Sequence, residues 1–169
     1  SPRPYSLRIR WYQSLDLQRR IRDLRISDQQ TMLQPRKRKY RKEFRGSMKG
    51  PASRGTTVAF GDFGLRALES HLITSQQIES ARRTITHHTN RVGKLWLRIF
   101  PHKPTTKKAA GSKMGSGKGD IDTYKAVVRR GTILFELGSV PEDVAREAFR
   151  KAASKLPVKT AFIIRGQIL

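Results

Sequence analysis

Apolar residues recur at helical spacing in two segments of the chain. The first segment begins at Thr74-Ser75-Gln76-Gln77, which has the capping-box pattern with Thr74 as N-cap. Four apolar residues follow at helical spacing before Gly93, which stands where a C-cap belongs: Ile78, Ala81, Ile85 and Val92. A second helix is predicted with Pro141 at its first position and Pro157 after its end. Its buried stripe would consist of Val144, Ala145, Ala148, Phe149, Ala152 and Leu156.

Alternating apolar and polar residues predict strands in five further places. Thr56–Phe60 is predicted as a short strand, and Lys94–Phe100 as a strand that turns Leu95, Leu97 and Ile99 to one face. Two more strands flank Arg130-Gly131 as a tight hairpin, and a last strand closes the domain: Tyr124–Arg130, Thr132–Leu137 and Val158–Ile164. Helices and strands are mixed without regular βαβ alternation. The sequence therefore predicts an α+β fold, a two-layer sandwich of a mostly antiparallel sheet with two main helices.

The N-terminal third has little apolar periodicity but carries most of the positive charge. The chain of 169 residues has 36 Lys and Arg against 13 Asp and Glu, a net charge of +23. Residues 1–54 hold 16 basic and 4 acidic residues, which is +12 of that total. Its most basic part is interrupted by glycines and a proline, so an extended arm is expected rather than a helix. The basic residues of this arm are Arg36, Lys37, Arg38, Lys39, Arg41, Lys42, Arg45, Lys49 and Arg54. Such a charge indicates a polyanionic partner, with nucleic acid as the first candidate and an anionic membrane as the second.

Residues 1–31 precede the arm and have a character of their own. Trp11–Ile26 can form a helix with apolar residues along one side and arginines along the other. An arginine-rich amphipathic N-terminus is typical of an organelle-targeting peptide, but Asp16 and Asp23 are unusual in one. A first residue, Ser1, that is not Met suggests that an upstream piece has been removed. We favour a retained extension with a binding role of its own.

A glycine- and lysine-rich segment in the middle of the chain is the second candidate for contact with a polyanion. Gly111–Gly119 superficially resembles a nucleotide-binding loop, but Ser112 stands where the first glycine is required and Gly119 where Ser or Thr is required. The alternative is an ordinary surface loop. Five lysines without an acid between Pro101 and Asp120 favour insertion into nucleic acid: Lys103, Lys107, Lys108, Lys113 and Lys118.

Catalytic and metal-binding patterns are poorly represented. The chain has no cysteine, and its histidines (His71, His87, His88 and His102) lack metal-ligand spacing. Asp120 and Asp122 could bind Mg²⁺ as in a nuclease, but a solvated entrance to a strand is favoured. Trp96 and Phe100 lie on one strand face with Arg98, and either base stacking or core packing explains them. No run of about 18 apolar residues is present. We expect no enzyme activity, cofactor, metal or membrane insertion.

Seven segments, in the same order, resemble a bacterial large-subunit ribosomal protein of the "L sixteen" family. The two most specific are Gly93-Lys94-Leu95-Trp96-Leu97-Arg98-Ile99-Phe100-Pro101 and Lys113-Met114-Gly115-Ser116-Gly117-Lys118-Gly119. The others are Met32-Leu33-Gln34-Pro35, Phe60-Gly61-Asp62-Phe63-Gly64-Leu65, Gln77–Arg83, Val144–Phe149 and Lys155-Leu156-Pro157. The resemblance extends from Met32 to about Ile164.

The resemblance implies a structural protein that binds large-subunit rRNA and helps to shape the aminoacyl-tRNA site near the peptidyl-transferase region. Its implied partners are large-subunit rRNA, tRNA in the aminoacyl site and neighbouring ribosomal proteins. The basic residues of the arm would bind rRNA, together with Arg82 and Arg83 on the first helix. The loop toward the tRNA region would present Lys113, Met114, Gly115, Gly117, Lys118 and Gly119. Lys113 stands where the family usually has Arg, which keeps the charge but not the planar fork.

Three parts are expected: an extension (1–31), a basic rRNA-binding arm (32–55) and an α+β domain (56–169) with a protruding loop (103–120). The bacterial pattern lacks the extension, so an organellar ribosome is expected, with the mitochondrion favoured over the plastid or the bacterial cytoplasm. Two other functions remain as alternatives. One is a nucleic-acid-binding protein outside the ribosome, including a metal-dependent enzyme that uses Asp120 and Asp122. The other is a membrane-surface protein that uses the Trp11–Ile26 helix.

Overall fold

The computed structural model describes residues 33–166 of the chain. The predicted extension and its Trp11–Ile26 helix lie outside the described residues. In chain order the elements are β1 (Phe63–Ala67), β2 (His71–Thr74), α1 (Ser75–His88), β3 (Lys94–Leu97), β4 (Lys103–Lys107), β5 (Asp120–Val128), β6 (Ile133–Gly138), α2 (Glu142–Ala153) and β7 (Thr160–Ile164).

The strands form two antiparallel sheets. One has four strands in the order β3-β6-β1-β7, and the other has three in the order β2-β5-β4. The α+β class with mostly antiparallel pairing is confirmed, although the sequence predicted one sheet. Every residue of β6 is buried, which suits a strand with a partner on each edge.

The hairpin predicted around Arg130-Gly131 is wrong. A turn does form there, since the Thr132 N–H donates to the Arg129 carbonyl at 3.1 Å and Gly131 has a φ of 93°. The strands on either side nevertheless enter different sheets, β5 between β2 and β4 and β6 between β1 and β3. The Gly131 N–H donates to the Ala67 carbonyl at 2.6 Å, so the turn is fixed to the end of β1 rather than to a hairpin ladder.

The strand predicted at Thr56–Phe60 is also wrong, because the first strand begins at Phe63. The backbone N–H groups of Ala59, Phe60 and Gly61 donate to the side chain of Glu136 in β6 instead of to a neighbouring strand. Val58 lies so close to Gly64 that a Cβ there would be 2.8 Å from a Val58 methyl group. Residues 58–61 therefore lie across the four-stranded sheet.

The two helices pack against each other, α1 also against β2 and β5, and α2 against β1 and β7. The capping box is confirmed, with the Gln77 N–H donating to Thr74 and the Gln77 side chain accepting from the Thr74 N–H. The helix ends before Gly93, since Thr89 is its C-cap, and Val92 is 62% exposed rather than part of the stripe. The second helix begins one residue later than predicted, with Pro141 as N-cap. Its predicted stripe is buried except for the half-buried Val144.

Candidate nucleic-acid interface

The basic arm is anchored to the folded domain at both ends. Leu33 packs against the hydrophobic core at its start. Near its end, Pro51 forms a bridge with Arg130, and the Ala52 N–H donates to the Arg130 carbonyl at 2.9 Å. Most of its cationic side chains are exposed between these anchors, namely Arg36, Lys37, Lys39, Arg41, Arg45, Lys49 and Arg54. The arm thus has fixed ends and a solvent-facing row of charge.

The glycine- and lysine-rich loop is the tip of the β4–β5 hairpin. The two strands pair from Lys103 opposite Lys125 to Lys107 opposite Asp120, so residues 108–119 form the connection. Residues 107–118 are all exposed, and Met114 at the tip is 99% exposed. Within the loop, the Lys108 Nζ donates to the Gly115 carbonyl at 2.6 Å. The loop encloses an open cavity of about 860 Å³.

The structure brings the arm and this loop together, although the two are far apart in sequence. The Lys42 Nζ donates to the Lys118 carbonyl at 2.8 Å, and the Lys118 Nζ donates to the Glu43 carbonyl. The same lysine lies 5.7 Å from the centroid of the Phe44 ring. We call residues 36–54 and 107–119 the arm–loop surface. It combines nearly all the candidate residues that the sequence placed in two separate segments.

The acidic side chains Glu43, within this surface, and Asp120, next to it, are paired with cations. Asp120 lies 3.5 Å from the Lys42 Nζ and 3.8 Å from an Arg41 nitrogen, and Glu43 pairs with Arg38. A carboxylate that binds a divalent ion uses its negative charge for the metal. The charge of Asp120 faces two cations of the arm instead, which argues against Asp120 as a metal ligand. No group of three or more His, Asp or Glu side chains among residues 33–166 could hold a metal ion.

Arg82 and Arg83 lie on α1 and both bind Glu79 of the same helix. Arg82 makes two hydrogen bonds to the carboxylate, at 2.7 and 2.8 Å, and Arg83 makes one at 3.0 Å. The Arg82 hydrogen bonds, assisted by Arg83, outweigh burial and hold the pKa of Glu79 below its ordinary value. Arg83 also lines a shallow groove between the helices, together with His87, His88 and Lys151. Both arginines are thus ion-paired with Glu79 of their own helix.

Trp96 and Arg98 take part in an aromatic cluster on the face of β3 opposite the core. The Trp96 and Phe60 rings stack with centroids 6.3 Å apart, and the Arg98 guanidinium lies 4.9 Å from the Phe60 centroid. Leu95, Leu97 and Ile99 turn the other way into the core, as the alternation predicted. Sequence reasoning missed Phe60, because a residue at the end of a supposed strand gave no sign that it would meet β3.

Glu136 is the second important residue that sequence reasoning missed. It is fully buried, accepts the N–H groups of Phe60 and Gly61 at 2.6 and 3.0 Å, and pairs with Arg98. Burial raises the pKa of this carboxyl, but the backbone N–H donors and Arg98 outweigh it, so the pKa lies below its ordinary value. The sequence does contain a signal for it, since Glu136 is the single acid in the otherwise apolar stretch Ile133–Gly138. A charge buried in such a strand needs partners elsewhere in the fold.

Among residues 33–166, no helix is both long and apolar enough to cross a membrane. Residues 35–163 match the family described as ribosomal protein L16p/L10e. Two relatives named large ribosomal subunit protein uL16c, from Phaeodactylum tricornutum and Thalassiosira pseudonana, are 58% and 59% identical over 137 residues. These alignments cover 81% of this chain and 99% and 100% of the relatives. A third protein of that name, from Trieres chinensis, is 58% identical over the same length.

The expected mitochondrial location is wrong. All three relatives carry the chloroplast name uL16c, which points to the plastid rather than the mitochondrion. The expectation had rested on residues 1–31, and an arginine-rich segment by itself does not distinguish one organelle from the other.

Proposed function

Since the chain belongs to the L16p/L10e family of ribosomal proteins and has a structural role in the large subunit, we propose that it binds large-subunit rRNA through the arm–loop surface. The observation that carries this proposal is the mutual contact of Lys42 and Lys118. Each lysine donates to a backbone carbonyl of the other segment, so arm and loop form one basic surface. An anion-binding surface held in place before binding loses less conformational entropy when RNA arrives.

The chemistry of this surface is phosphate neutralisation. Its exposed lysines and arginines release condensed counterions when they contact phosphates, which supplies affinity without sequence readout. One arginine nitrogen, Nη1 of Arg38, is buried and has no hydrogen-bond partner within the described residues. Because this nitrogen is buried, phosphate contacts fall to the exposed cations of the arm. Recognition then rests on RNA shape and on unpaired segments, as is usual for RNA.

Within the large subunit, the exposed loop tip is the part that we assign to the aminoacyl-tRNA site near the peptidyl-transferase region. Glycines at 115 and 117 have φ values of 117° and 75°, so the backbone there bends tightly and carries no Cβ. Such a tip can approach RNA closely. The protein positions RNA in this role and performs no chemical step itself, and other large-subunit proteins are its further neighbours.

Salt dependence of rRNA binding tests the phosphate-neutralisation mechanism. Replacement of Arg36, Lys37 and Lys39 by Gln removes three exposed arm charges, while the same replacement of Lys155, Lys159 and Arg165 removes three charges elsewhere. Each lost phosphate contact lowers the slope of log affinity against log salt by about 0.7–0.9. We therefore expect the arm variant to lose about 2 units of slope and the matched variant almost none. Equal losses in both variants would contradict a specific role for the arm.

The tRNA assignment has its own test, because the chain contains no cysteine. Met114→Cys creates a single thiol at the loop tip, to which a photo-crosslinker can be attached before assembly into large subunits. We expect crosslinks to peptidyl-transferase rRNA and to tRNA in the aminoacyl site. Leu68→Cys, at an exposed position outside the arm–loop surface, is the control. Crosslinks from Met114→Cys to neither RNA would overturn the assignment.

A further inference from the structure

An aromatic cluster outside the arm–loop surface has the features of a second RNA contact. Phe60 is 59% exposed, an unusual state for a phenyl ring that sits on a well-packed sheet. Its stack with Trp96 has centroids 6.3 Å apart and an interplanar angle of 21°, so the rings are displaced sideways. The exposed part of Phe60 therefore remains accessible to a third flat ring, beside the half-buried Trp96.

Two cations flank these rings. The Lys94 Nζ lies 5.3 Å from the Trp96 centroid, and the Arg98 guanidinium lies 4.9 Å from the Phe60 centroid. The two nearby acids differ in exposure, since Glu136 is fully buried whereas Asp62 is exposed. Glu136 is buried among backbone N–H donors and Arg98, and Asp62 accepts the Ser139 N–H at 3.2 Å. Aromatic faces bordered by cations match a nucleobase with its phosphate better than an apolar protein segment.

The cluster is also held rigidly. A Cβ on Gly138 would lie 3.2 Å from the Trp96 ring, so the indole rests on a backbone that has no side chain. A Cβ on Gly61 would lie 2.7 Å from the Leu137 carbonyl oxygen, so the loop that carries Phe60 is pressed against β6. The Phe60 N–H is held by Glu136 at 2.6 Å. The backbone of Phe60 is thus fixed by a hydrogen bond, while its ring remains exposed to solvent.

We propose that Phe60 and Trp96, flanked by Lys94 and Arg98, form a platform on which an unpaired RNA base stacks while Lys94 binds the adjacent phosphate. This inference rests on the proposed function, because it assumes that RNA is the partner. It adds a site that reads single-stranded RNA, apart from the arm–loop surface with its general affinity for phosphates.

Tryptophan fluorescence tests the platform in the full-length chain. The chain has two tryptophans, so a Trp11→Phe background leaves Trp96 as the sole reporter. The probes are a short oligouridine and an RNA hairpin whose stem is closed by a non-nucleotide linker, so that it has no unpaired base, with the same number of phosphates. We expect oligouridine to quench Trp96, and Phe60→Ala to weaken oligouridine binding about 5- to 150-fold, the range for loss of one stacked base. Hairpin binding should stay unchanged.

Matched variants separate loss of stacking from loss of folding. Phe60→Tyr keeps an aromatic ring and should retain oligouridine affinity, while Leu68→Ala removes another exposed apolar side chain and should have no effect. Bound oligouridine without quenching of Trp96, or with equal affinity for Phe60→Ala and wild type, would overturn the platform while leaving the arm–loop proposal intact. Failure of wild type to bind either probe would overturn both proposals.

Discussion

Replacement of Glu136 by Gln should be among the most destabilising conservative changes in this protein. The wild-type carboxylate is fully buried, accepts N–H groups from Ala59, Phe60 and Gly61, and pairs with Arg98, whose side chain is 22% exposed. The amide is the same size, but it has one acceptor oxygen and it turns an NH₂ group toward donors. It also leaves the Arg98 cation without its counter-charge.

The magnitude follows from the cost of breaking a buried ion pair from one side, which is about 3–5 kcal/mol. For a domain of this size, each kcal/mol lowers the midpoint of thermal unfolding by about 4 °C, so we expect a decrease of about 12–20 °C. Unfolding followed by circular dichroism, with urea titration for the free energy, measures it. The weakened hold on the N–H groups of residues 59–61 contributes to this cost.

The control is the same substitution at Glu147, an acid on the surface of α2. Hydrogen bonds from Arg150 lower the pKa of Glu147 to about 2 against a small opposing effect of desolvation, with help from Lys151 and His88. That pair is exposed, so solvent screens it and Glu147→Gln should leave the unfolding midpoint close to that of wild type. If Glu136→Gln were as mild as Glu147→Gln, the reasoning from burial would be refuted.

Three further predictions follow from the same contacts. The pKa of Glu136 is lowered in the folded state, so its stabilising effect is complete above the ordinary Glu pKa of about 4.3 and is lost as pH falls through the folded-state pKa. The difference in unfolding free energy between wild type and Glu136→Gln should therefore be widest at neutral pH and should close in acid. A difference that stays constant with pH would contradict this. Thr74→Ala should cost about 1 kcal/mol in urea unfolding through loss of the cap, whereas Thr74→Ser should cost little. Gly93→Ala and Gly50→Ala both place an alanine at a positive φ, 82° and 83°, but only the alanine at 93 would have its Cβ within 2.3 Å of a Val140 methyl group. Gly93→Ala should therefore lower the free energy of unfolding in urea by about 1–3 kcal/mol more than Gly50→Ala. Equal decreases would show that the clash relaxes.

Local signals in the sequence predicted local structure well. The capping box at Thr74 and the apolar stripes of both helices depend on neighbours three or four residues away, and both are present in the fold. The alternation after Gly93 correctly separated Leu95 and Leu97 from Trp96. Each of these features is decided within a few residues of chain.

Features that depend on distant partners could not be predicted in the same way. The turn at Gly131 looks like a hairpin locally, but β5 and β6 enter different sheets, and β6 pairs with β1 and β3, which lie far away in the sequence. Residues 56–60 looked like a strand, but the buried carboxylate of Glu136 offers the N–H groups of residues 59–61 a stronger acceptor. The contact between Lys42 and Lys118 likewise joins segments whose sequences reveal their charge but not their proximity.

The position of β6 between β1 and β3 also determines when this protein can fold during its own synthesis. A nascent chain that ends before Ile133 already contains β1 and β3, but it lacks the strand that both of them pair with. It exposes two unpaired edges, a state prone to aberrant pairing. Its strong positive charge opposes self-association but favours adventitious binding to any nearby polyanion. A product truncated before Ile133 would therefore lack the four-stranded sheet, and that sheet is complete only after Ile164 has left the ribosome.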